Sequence, residues 1–595
     1  MRPFEHFSSL VAMFFTRAAE QGDKPFLWAK QGGTWQATSW AEAARQVASL
    51  AAGLNAIGMK RGDRIMLVAE NRPEWCISDL AIMAAGCVTV PTYTTNTERD
   101  HLHILENSGA CGIIVSSAKL AKVLLPAVLR SNQGQTVIGI EEMRAPAGSF
   151  DFHSWHQLIA DHPTDPVATA RTIDLQRSDL ACIIYTSGTG GAPRGVRQHH
   201  GAILHNVNGC VVAIRDDLGW GEEVFLSFLP LSHAYEHSGG QFLPIGMGGQ
   251  IYYAEGLDKL ASNIQEVRPT LMFVVPRLLE VLRTRISKGV EKQGGVGAYL
   301  LRKALEIGAR EYEGRVRLID RPIQLAVSRL LKPKIAQRFG GRLRAMVSGG
   351  APLNPEVGSF FQGIGVMILQ GYGQTEAGPV ISCNRPSATI RMDTVGPPLD
   401  ATEVRIAADG EILVRGELVM HGYWRNEAET ARVLQNGWLH TGDIGEFDEA
   451  GRIRITDRKK DLIINDKGDN VAPQKVEGMI TLQPEIVQAM IAGDRRPYMV
   501  ALLVPDPEWV QEWCARGAKR CDFARLADDP AFRSAISAAI ERVNKDLSVT
   551  ERVRRFILAD EPFTIENEQL TPSLKIRRHV LKQVYGERLD ALYKG

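Results

Sequence analysis

The sequence lacks the features of disulfide-rich, nucleic-acid-binding and membrane-spanning proteins. Its eight cysteines are scattered over 595 residues without a Cys-x-x-Cys spacing, which favours a reduced, cytoplasmic protein without structural zinc. Its 69 basic residues nearly cancel 68 acidic ones, so no overall field would attract nucleic acid. An uncharged stretch over 238–254 contains five glycines and a proline, and it is shorter than the roughly 20 apolar residues of a spanning helix.

Length and composition favour a globular protein with several lobes. Apolar residues make up 44% and charged residues 23% of the chain, which is ordinary usage for a folded protein. Since domains usually contain ~100–200 residues, a single core is not expected.

Short apolar runs alternate with helical segments through the first part of the chain. Such runs occupy 64–70, 87–91, 113–115 and 137–140. Strands that are buried on both faces have this continuous apolar character, and their alternation with helices indicates βαβ units and parallel sheets. The sequence predicts an α/β fold, with a large, multi-lobed N-terminal domain over 1–458.

The pattern changes near Asp457, where a charged run leads into a smaller region. Two apolar runs over 486–505 are separated by a turn-prone segment, which predicts a hairpin. Apolar residues then recur at three- and four-residue steps from Phe532 to Leu547, which predicts a helix. We therefore expect a small α+β C-terminal domain over 459–595.

A glycine-rich loop follows the apolar run 180–184. Residues 185–196 read Tyr-Thr-Ser-Gly-Thr-Gly-Gly-Ala-Pro-Arg-Gly-Val. Glycines let a backbone approach phosphate oxygens, hydroxyls donate to them, and Arg194 adds positive charge. The loop is not a Walker loop, because Val196 stands where lysine should follow, nor a dinucleotide fingerprint, because Pro193 replaces the third glycine. Taken alone, such a loop is more often a plain turn.

The order of residues in this loop resembles the phosphate loop of the adenylate-forming superfamily, which includes acyl-CoA synthetases, aryl-CoA ligases and peptide-synthetase adenylation domains. Further segments resemble, in the family's order, its acyl-pocket segment, two nucleotide-binding loops, its ribose-binding and hinge segments and its catalytic lysine loop. They lie at 229–236, 348–352, 371–376, 437–443, 457–461 and 571–575. So many motifs in one order are not accidental.

The resemblance implies ATP, Mg²⁺ and coenzyme A as ligands. Thr186 and Glu376 would be the magnesium donors, which suits a cation that prefers oxygen ligands and retains waters. Tyr372 would lie against the adenine and Thr375 near the α-phosphate. The implied nucleotide and coenzyme A contacts are Thr186, Ser187, Gly188, Thr189, Gly190, Arg194, Gly350, Ala351, Pro352, Gly371, Tyr372, Gly373, Thr375, Asp443, Arg458, Lys460 and Gly468.

The implied catalytic residues are Lys575, Glu376, Thr186 and His233. In the family pattern, Lys575 bridges the substrate carboxylate and the α-phosphate, where its charge opposes the negative charge that develops in the transition state. His233 belongs to the acyl-pocket segment. A lone histidine in an apolar loop is also often a core residue, and both interpretations of His233 stay open.

The resemblance also implies two half-reactions, formation of an acyl-adenylate with release of pyrophosphate and then attack by the thiol of coenzyme A. The family rotates its small, mobile C-terminal domain between them, about a hinge that matches Lys460, so that the face with Gly468 meets the adenylate. Two residues depart from the commoner pattern, since Gly190 replaces threonine and Arg194 replaces lysine. Arginine keeps the charge but changes the donor geometry.

Within the superfamily the chain looks most similar to long-chain fatty acyl-CoA synthetases. An aryl-CoA ligase of the coumarate type, a free-standing acyl-AMP ligase and a non-catalytic nucleotide sensor on the same fold are the alternatives. We expect a carboxylic acid as substrate, no nucleic-acid partner, and a monomer or homodimer.

A basic segment lies between Arg283 and Arg344, with sixteen lysines or arginines against five acidic residues. A solvated helical face is the ordinary interpretation of such a segment. The alternative is peripheral contact between a cytoplasmic enzyme and an anionic membrane.

Overall fold

The computed structural model describes residues 4–131, 136–143, 150–186, 193–312, 315, 320–459, 462–467, 469–517, 526–571 and 575–594. The chain divides into two compact units. The first comprises Met1–Ala407, Leu413–Thr441 and Phe447–Arg454, and the second comprises Ala408–Ile412, Gly442–Glu446 and Ile455–Gly595. Over the described ranges, no helix combines the length and apolar character needed to cross a bilayer.

The first unit contains helices of three to nineteen residues. The described helices are α1 (Leu10–Gln21), α2 (Trp40–Ala56), α3 (Pro73–Ala84), α4 (Glu98–Ser108), α5 (Ala118–Arg130), α6 (Trp155–Asp161), α7 (Pro166–Thr172), α8 (His200–Leu218), α9 (Ala234–Glu236), α10 (Leu243–Met247), α11 (Leu260–Val267), α12 (Pro276–Gln293), α13 (Gly295–Tyr312), α14 (Arg321–Ala326), α15 (Lys332–Arg338), α16 (Pro355–Gly363) and α17 (Glu427–Val433). Two π-helical turns cover His237–Phe242 and Val327–Leu331.

The first unit contains two large sheets. Their strands are β1 (Pro25–Gln31), β2 (Thr34–Ser39), β3 (Arg64–Val68), β4 (Val88–Pro91), β5 (Gly112–Val115), β6 (Thr136–Gly139), β7 (Asp151–Ser154), β8 (Leu180–Thr186), β9 (Arg194–His199), β10 (Val224–Ser227), β11 (Gln250–Tyr253), β12 (Leu271–Val274), β13 (Ala345–Ser348), β14 (Ile368–Gly373) and β15 (Val380–Cys383).

The seven-stranded sheet has the order β7-β6-β5-β3-β4-β8-β9. All its pairings are parallel except the one between β8 and β9. Its inner strands are buried along their length, as in β4 and β5, because helices cover a parallel sheet on both faces. The apolar runs of the sequence therefore predicted β3 to β6 correctly.

The eight-stranded sheet has the order β15-β14-β13-β12-β10-β11-β1-β2. Strands β10 to β14 pair in parallel, and β15 and β2 are antiparallel strands at its two edges. The segments that contain Gly350 and Glu376 directly follow the carboxyl ends of β13 and β14, respectively. In open α/β sheets, ligands bind outside this end of the strands.

The segment between the large sheets and the C-terminal region contains strands of two to ten residues and helix α17, and the boundary between the two units falls within it. These strands are β16 (Glu403–Ile406), β17 (Glu411–Arg415), β18 (Leu434–Gln435), β19 (Trp438–Phe447) and β20 (Ile453–Arg458).

The C-terminal region of the second unit is a small α+β assembly. Its described elements are β21 (Ile463–Ile464), β22 (Asn470–Val471), α18 (Pro473–Ile480), β23 (Ile486–Ala492), β24 (Met499–Pro505), α19 (Pro507–Arg516), α20 (Pro530–Asn544), β25 (Val553–Leu558) and α21 (Arg578–Ala591). Strands β23 and β24 form the hairpin predicted over 486–505, and β25 joins β24 in parallel. Helix α20 buries Phe532, Ile536 and Ile540, so the predicted apolar face is the core face.

Candidate active site

Thr186 ends strand β8 and pairs across the antiparallel ladder with Arg194, the first residue of β9. Its hydroxyl oxygen is buried, and no described residue hydrogen-bonds to it. A buried hydroxyl without a partner is unfavourable in an isolated protein, which makes this oxygen a candidate contact for a bound group. Four of the predicted phosphate contacts, Ser187, Gly188, Thr189 and Gly190, lie outside the described residues.

Arg194 links the loop to two residues that are distant in sequence. Its guanidinium forms an ion pair with Glu429, and it lies 4.6 Å from the ring centroid of Tyr423. The hydroxyl of Tyr423 in turn donates a 2.7 Å hydrogen bond to Oε1 of Glu376. The structure thus connects Arg194 and Glu376, two predicted site residues, through the ring of Tyr423.

Tyr423 is a neutral hydrogen-bond donor in this chain of contacts. Burial raises the pKa of its phenol, and the neighbouring Glu376 carboxylate raises that pKa further. Sequence reasoning missed both Tyr423 and Glu429, because they lie more than two hundred residues from Arg194 in the chain.

The predicted nucleotide-binding loops lie at the ends of β13 and β14. Gly350 has φ 81°, a conformation that favours glycine, and Ala351 and Pro352 beside it are exposed. Gly371, Tyr372 and Gly373 form the end of β14. A side chain at Gly373 would collide with the backbone of Pro379, so this glycine is needed for close packing of the turn.

Thr375 and Glu376 lie in a short 3-10 helix after β14. The amide of Gln198, on β9, donates a 2.6 Å hydrogen bond to the carbonyl of Thr375. Strand β9 therefore contacts the Glu376 segment directly through this bond, and Arg194 is connected to Glu376 indirectly through Tyr423. Tyr372, the predicted adenine contact, is buried.

The acyl-pocket segment runs into helix α9. Nδ1 of His233 accepts a 3.2 Å hydrogen bond from the backbone N–H of Tyr235, so His233 caps the helix, as a structural histidine would. Glu236 is almost fully buried, and burial raises the pKa of its carboxyl to about 8. The sequence analysis placed Glu236 in the predicted acyl-pocket segment but gave it no individual role.

Asp443 and Arg458 meet in the second unit. Nε of Arg458 donates a 3.0 Å hydrogen bond to Oδ1 of Asp443, whose side chain is almost fully buried. The predicted ribose-binding carboxylate and its predicted arginine partner are therefore in direct contact. Next in the chain, Lys459 pairs with Asp409 at 2.6 Å.

Lys575 lies in the loop that precedes α21 in the second unit, and the residue is exposed. Its backbone N–H donates a 3.0 Å hydrogen bond to the hydroxyl of Thr571, and its carbonyl accepts a 2.8 Å bond from the N–H of Thr571. These two bonds join Thr571 directly to Lys575. Lys460 and Gly468, the predicted hinge residue and coenzyme A contact, lie outside the described residues.

The donors available for a metal ion are few. In the described ranges, no group of three or more His, Cys, Asp or Glu side chains could enclose a metal. The hydroxyl of Thr186 and the carboxylate of Glu376 are both hard oxygen donors, as Mg²⁺ prefers. Two protein donors fit a cation that keeps several waters, so these residues fit the implied metal.

Large, mainly parallel sheets followed by a small C-terminal α+β region define an α/β protein with two compact units. Residues 14–424 match the AMP-binding enzyme family and residues 460–595 match the AMP-binding enzyme C-terminal domain. The chain belongs to this family. The superfamily predicted from the motifs is confirmed.

Curated relatives match over almost the entire chain. A long-chain-fatty-acid–CoA ligase of Mycobacterium tuberculosis (FadD15) is 32% identical, with 99% of this chain and 97% of the relative covered. The peroxisomal long chain acyl-CoA synthetase 6 of Arabidopsis thaliana is 31% identical, with 94% and 82% covered.

Solved structures show the same fold at lower identity. The adenylation domain of a carboxylate reductase from Mycobacterium chelonae has a TM-score of 0.77 at 23% identity, covering 99% of this chain and 92% of that chain. The anthranilate CoA ligase AuaEII in complex with anthranoyl-AMP has a TM-score of 0.72 at 19% identity, covering 99% and 98%. The α/β fold predicted from the sequence is confirmed.

Proposed function

We propose that the chain is an AMP-forming acid–thiol ligase that joins a long-chain fatty acid to coenzyme A through an acyl-adenylate. The observation that carries the proposal is the 32% identity to a long-chain-fatty-acid–CoA ligase over 99% of the chain. The Thr186 hydroxyl, which has no hydrogen-bond partner among the described residues, and the Arg194–Tyr423–Glu376 chain support it, because residues to which we assign phosphate and Mg²⁺ contacts lie in the first unit and three of them are connected.

In the first half-reaction the carboxylate of the acid attacks the α-phosphate of ATP. The repulsion between these anions must be reduced by cations. We assign this task to Arg194 in the phosphate loop and to Lys575, which bridges the carboxylate and the α-phosphate. Thr186 and Glu376 would hold Mg²⁺, which supplies further positive charge to the phosphates.

The nucleotide is held by groups from several loops. We assign the adenine contact to Tyr372, the ribose hydroxyls to Asp443 with Arg458, and the α-phosphate to Thr375. A carboxylate that accepts hydrogen bonds from two adjacent hydroxyls is a suitable sugar clamp, and its bond to Arg458 fixes the carboxylate for this task.

In the second half-reaction the thiol of coenzyme A attacks the acyl carbonyl and AMP leaves. Pyrophosphate has already departed, so Lys575 is no longer needed at the phosphate. We propose that the C-terminal domain, residues 459–595, rotates about Lys460 between the two steps, so that Gly468 reaches the adenylate. A few residues at a domain junction are enough to absorb such a rotation.

The proposal is tested by measuring pyrophosphate release with ATP, Mg²⁺ and a panel of acids from acetate through palmitate to coumarate, each with and without coenzyme A. We expect release with long-chain acids and a thioester that forms only with coenzyme A. Release with coumarate alone would favour an aryl-CoA ligase. Pyrophosphate release without thioester formation would favour an acyl-AMP ligase. No pyrophosphate release with any acid would favour a non-catalytic nucleotide sensor.

A further inference from the structure

Glu376, to which we assign Mg²⁺, lies in a turn whose backbone is bonded from several other segments. The turn, residues 374–379, joins β14 to β15. The N–H of Gln374 donates a 2.9 Å hydrogen bond to the carbonyl of Pro379 across the base of the turn. The carbonyl of Glu376 itself accepts a 2.9 Å bond from the N–H of Met420. The backbone at Glu376 is therefore attached to a distant part of the chain.

Two buried side chains bond to the turn on either side of Glu376. The amide of Gln198, on β9, donates to the carbonyl of Thr375, which precedes Glu376. The hydroxyl of Ser238 donates a 3.1 Å hydrogen bond to the carbonyl of Gly378, which follows it. Both Gln198 and Ser238 are buried, so water does not compete for these carbonyls.

A third buried side chain bonds to the residue at which the turn enters β15. The amide of Asn206, on α8, accepts a hydrogen bond from the N–H of Val380 and donates a 3.1 Å bond to the carbonyl of the same residue. Asn206 is also buried. We call these three side chains the backbone clamp; they are Gln198, Asn206 and Ser238.

The part of the chain that carries Ser238 is itself bonded to another helix. Ser238 lies in the π-helical turn His237–Phe242. Nε2 of His237 lies 2.8 Å from Oδ2 of Asp79, on α3, and the amide of Gln241 donates a 2.7 Å hydrogen bond to the same oxygen. All three of these side chains are buried. The π-helical turn therefore holds Ser238 against Gly378 from a fixed support.

We propose that the backbone clamp positions the carboxylate of Glu376 for Mg²⁺. Its three members are positioning residues, because they act through the backbone of the turn. Mg²⁺ requires near-ideal octahedral geometry with donors at about 2.0–2.1 Å, so a small displacement of the turn weakens its binding. Tyr423 orients one oxygen of Glu376, and the clamp fixes the backbone that carries the side chain. This inference rests on the proposed assignment of Mg²⁺ to Glu376.

The test is calorimetric titration of the full-length protein with a non-hydrolysable ATP analogue at a series of Mg²⁺ concentrations. Ser238→Ala and Gln198→Met each remove one hydrogen-bond donor of the clamp. We expect each to raise the Mg²⁺ concentration that gives half-maximal binding by at least about threefold, because one bond that fixes the turn is lost. Affinity for the analogue without Mg²⁺ should stay unchanged, because the clamp acts through the metal ligand.

Asn206→Ala has a matched control in the second unit. The amide of buried Asn544 makes the same pair of bonds with Val553, since it accepts from the N–H at 3.0 Å and donates to the carbonyl at 2.9 Å. Asn206→Ala and Asn544→Ala should both lower the melting temperature, because buried backbone groups lose their partners. Only Asn206→Ala should raise the Mg²⁺ requirement. If Asn206→Ala does not fold, Ser238→Ala and Gln198→Met decide.

The outcomes separate the clamp from the proposed reaction. An unchanged Mg²⁺ dependence in either Ser238→Ala or Gln198→Met overturns the clamp, and so does an equal shift in Asn544→Ala. If the unchanged protein binds the analogue but releases no pyrophosphate from ATP with any acid, the proposed reaction is wrong, and the binding data still decide on the clamp. If the unchanged protein does not bind the analogue at all, both proposals are overturned.

Discussion

The hydroxyl of Tyr423 donates a 2.7 Å hydrogen bond to Oε1 of Glu376, and its ring lies under the guanidinium of Arg194. One side chain thus orients a predicted metal ligand and a predicted phosphate contact. The two are otherwise separated by more than one hundred and eighty residues of sequence. Because Tyr423 is a neutral donor, it fixes one oxygen of Glu376 without cancelling its charge.

Replacing Tyr423 with phenylalanine should lower kcat/KM for adenylation by at least about tenfold. Phenylalanine keeps the ring under Arg194 but removes a hydrogen bond to a charged group, which contributes roughly 1.5–3 kcal/mol. The Mg²⁺ concentration that gives half-maximal pyrophosphate release should also rise, because Glu376 loses its orientation. Tyr498→Phe, which removes a hydroxyl bonded to the carbonyl of Leu592, is the control. Equal magnesium dependence in Tyr423→Phe and the unchanged enzyme would contradict the assignment.

Replacing Lys575 with alanine should separate the two half-reactions. Pyrophosphate release from ATP and acid should fall by at least about 10³-fold, because a charge that acts in the transition state is lost. Thioester formation from supplied acyl-AMP and coenzyme A should remain near its normal rate. Lys545→Ala, at an exposed lysine of the same unit, should change neither rate. Equal loss of both half-reactions in Lys575→Ala would remove Lys575 from its proposed role.

The buried carboxyl of Glu236 should make the fold less stable as pH rises. Its pKa is about 8 in the folded chain, against an ordinary value of 4.5. Between these values the folded chain binds a proton that the unfolded chain has lost, so stability falls with rising pH, by at most about 1.4 kcal/mol per pH unit. In urea unfolding from pH 5 to 8, Glu236→Gln should show a shallower decline than the unchanged protein. The exposed Glu587→Gln should follow the unchanged protein, and parallel curves for all three would show that Glu236 does not carry the effect.

Local patterns predicted the fold well, but they did not predict the contacts that join the candidate site residues. Continuous apolar runs correctly predicted strands β3 to β6, because a strand that is buried on both faces needs apolar residues throughout. The three- and four-residue spacing of apolar residues correctly predicted helix α20, because one face of that helix packs on a core. By contrast, the contacts that Tyr423 makes with Arg194 and Glu376 join segments that fold together only in three dimensions, and no local pattern reveals them. The π-helical turn Val327–Leu331 was not predicted either, because a single π-helical turn leaves no distinct spacing in the sequence.

Replacing Thr186 with valine should separate activity from stability. The hydroxyl of Thr186 is buried and has no partner among the described residues, so exchanging it for a methyl group removes an unfavourable burial and should leave the melting temperature equal or slightly higher. Pyrophosphate release should nevertheless fall by at least about tenfold, because an oxygen proposed to contact Mg²⁺ and phosphate is lost. Thr186→Ser restores the oxygen and should recover most of the activity. If Thr186→Val stays fully active, this hydroxyl contacts neither the metal nor the phosphates, and its burial requires another explanation.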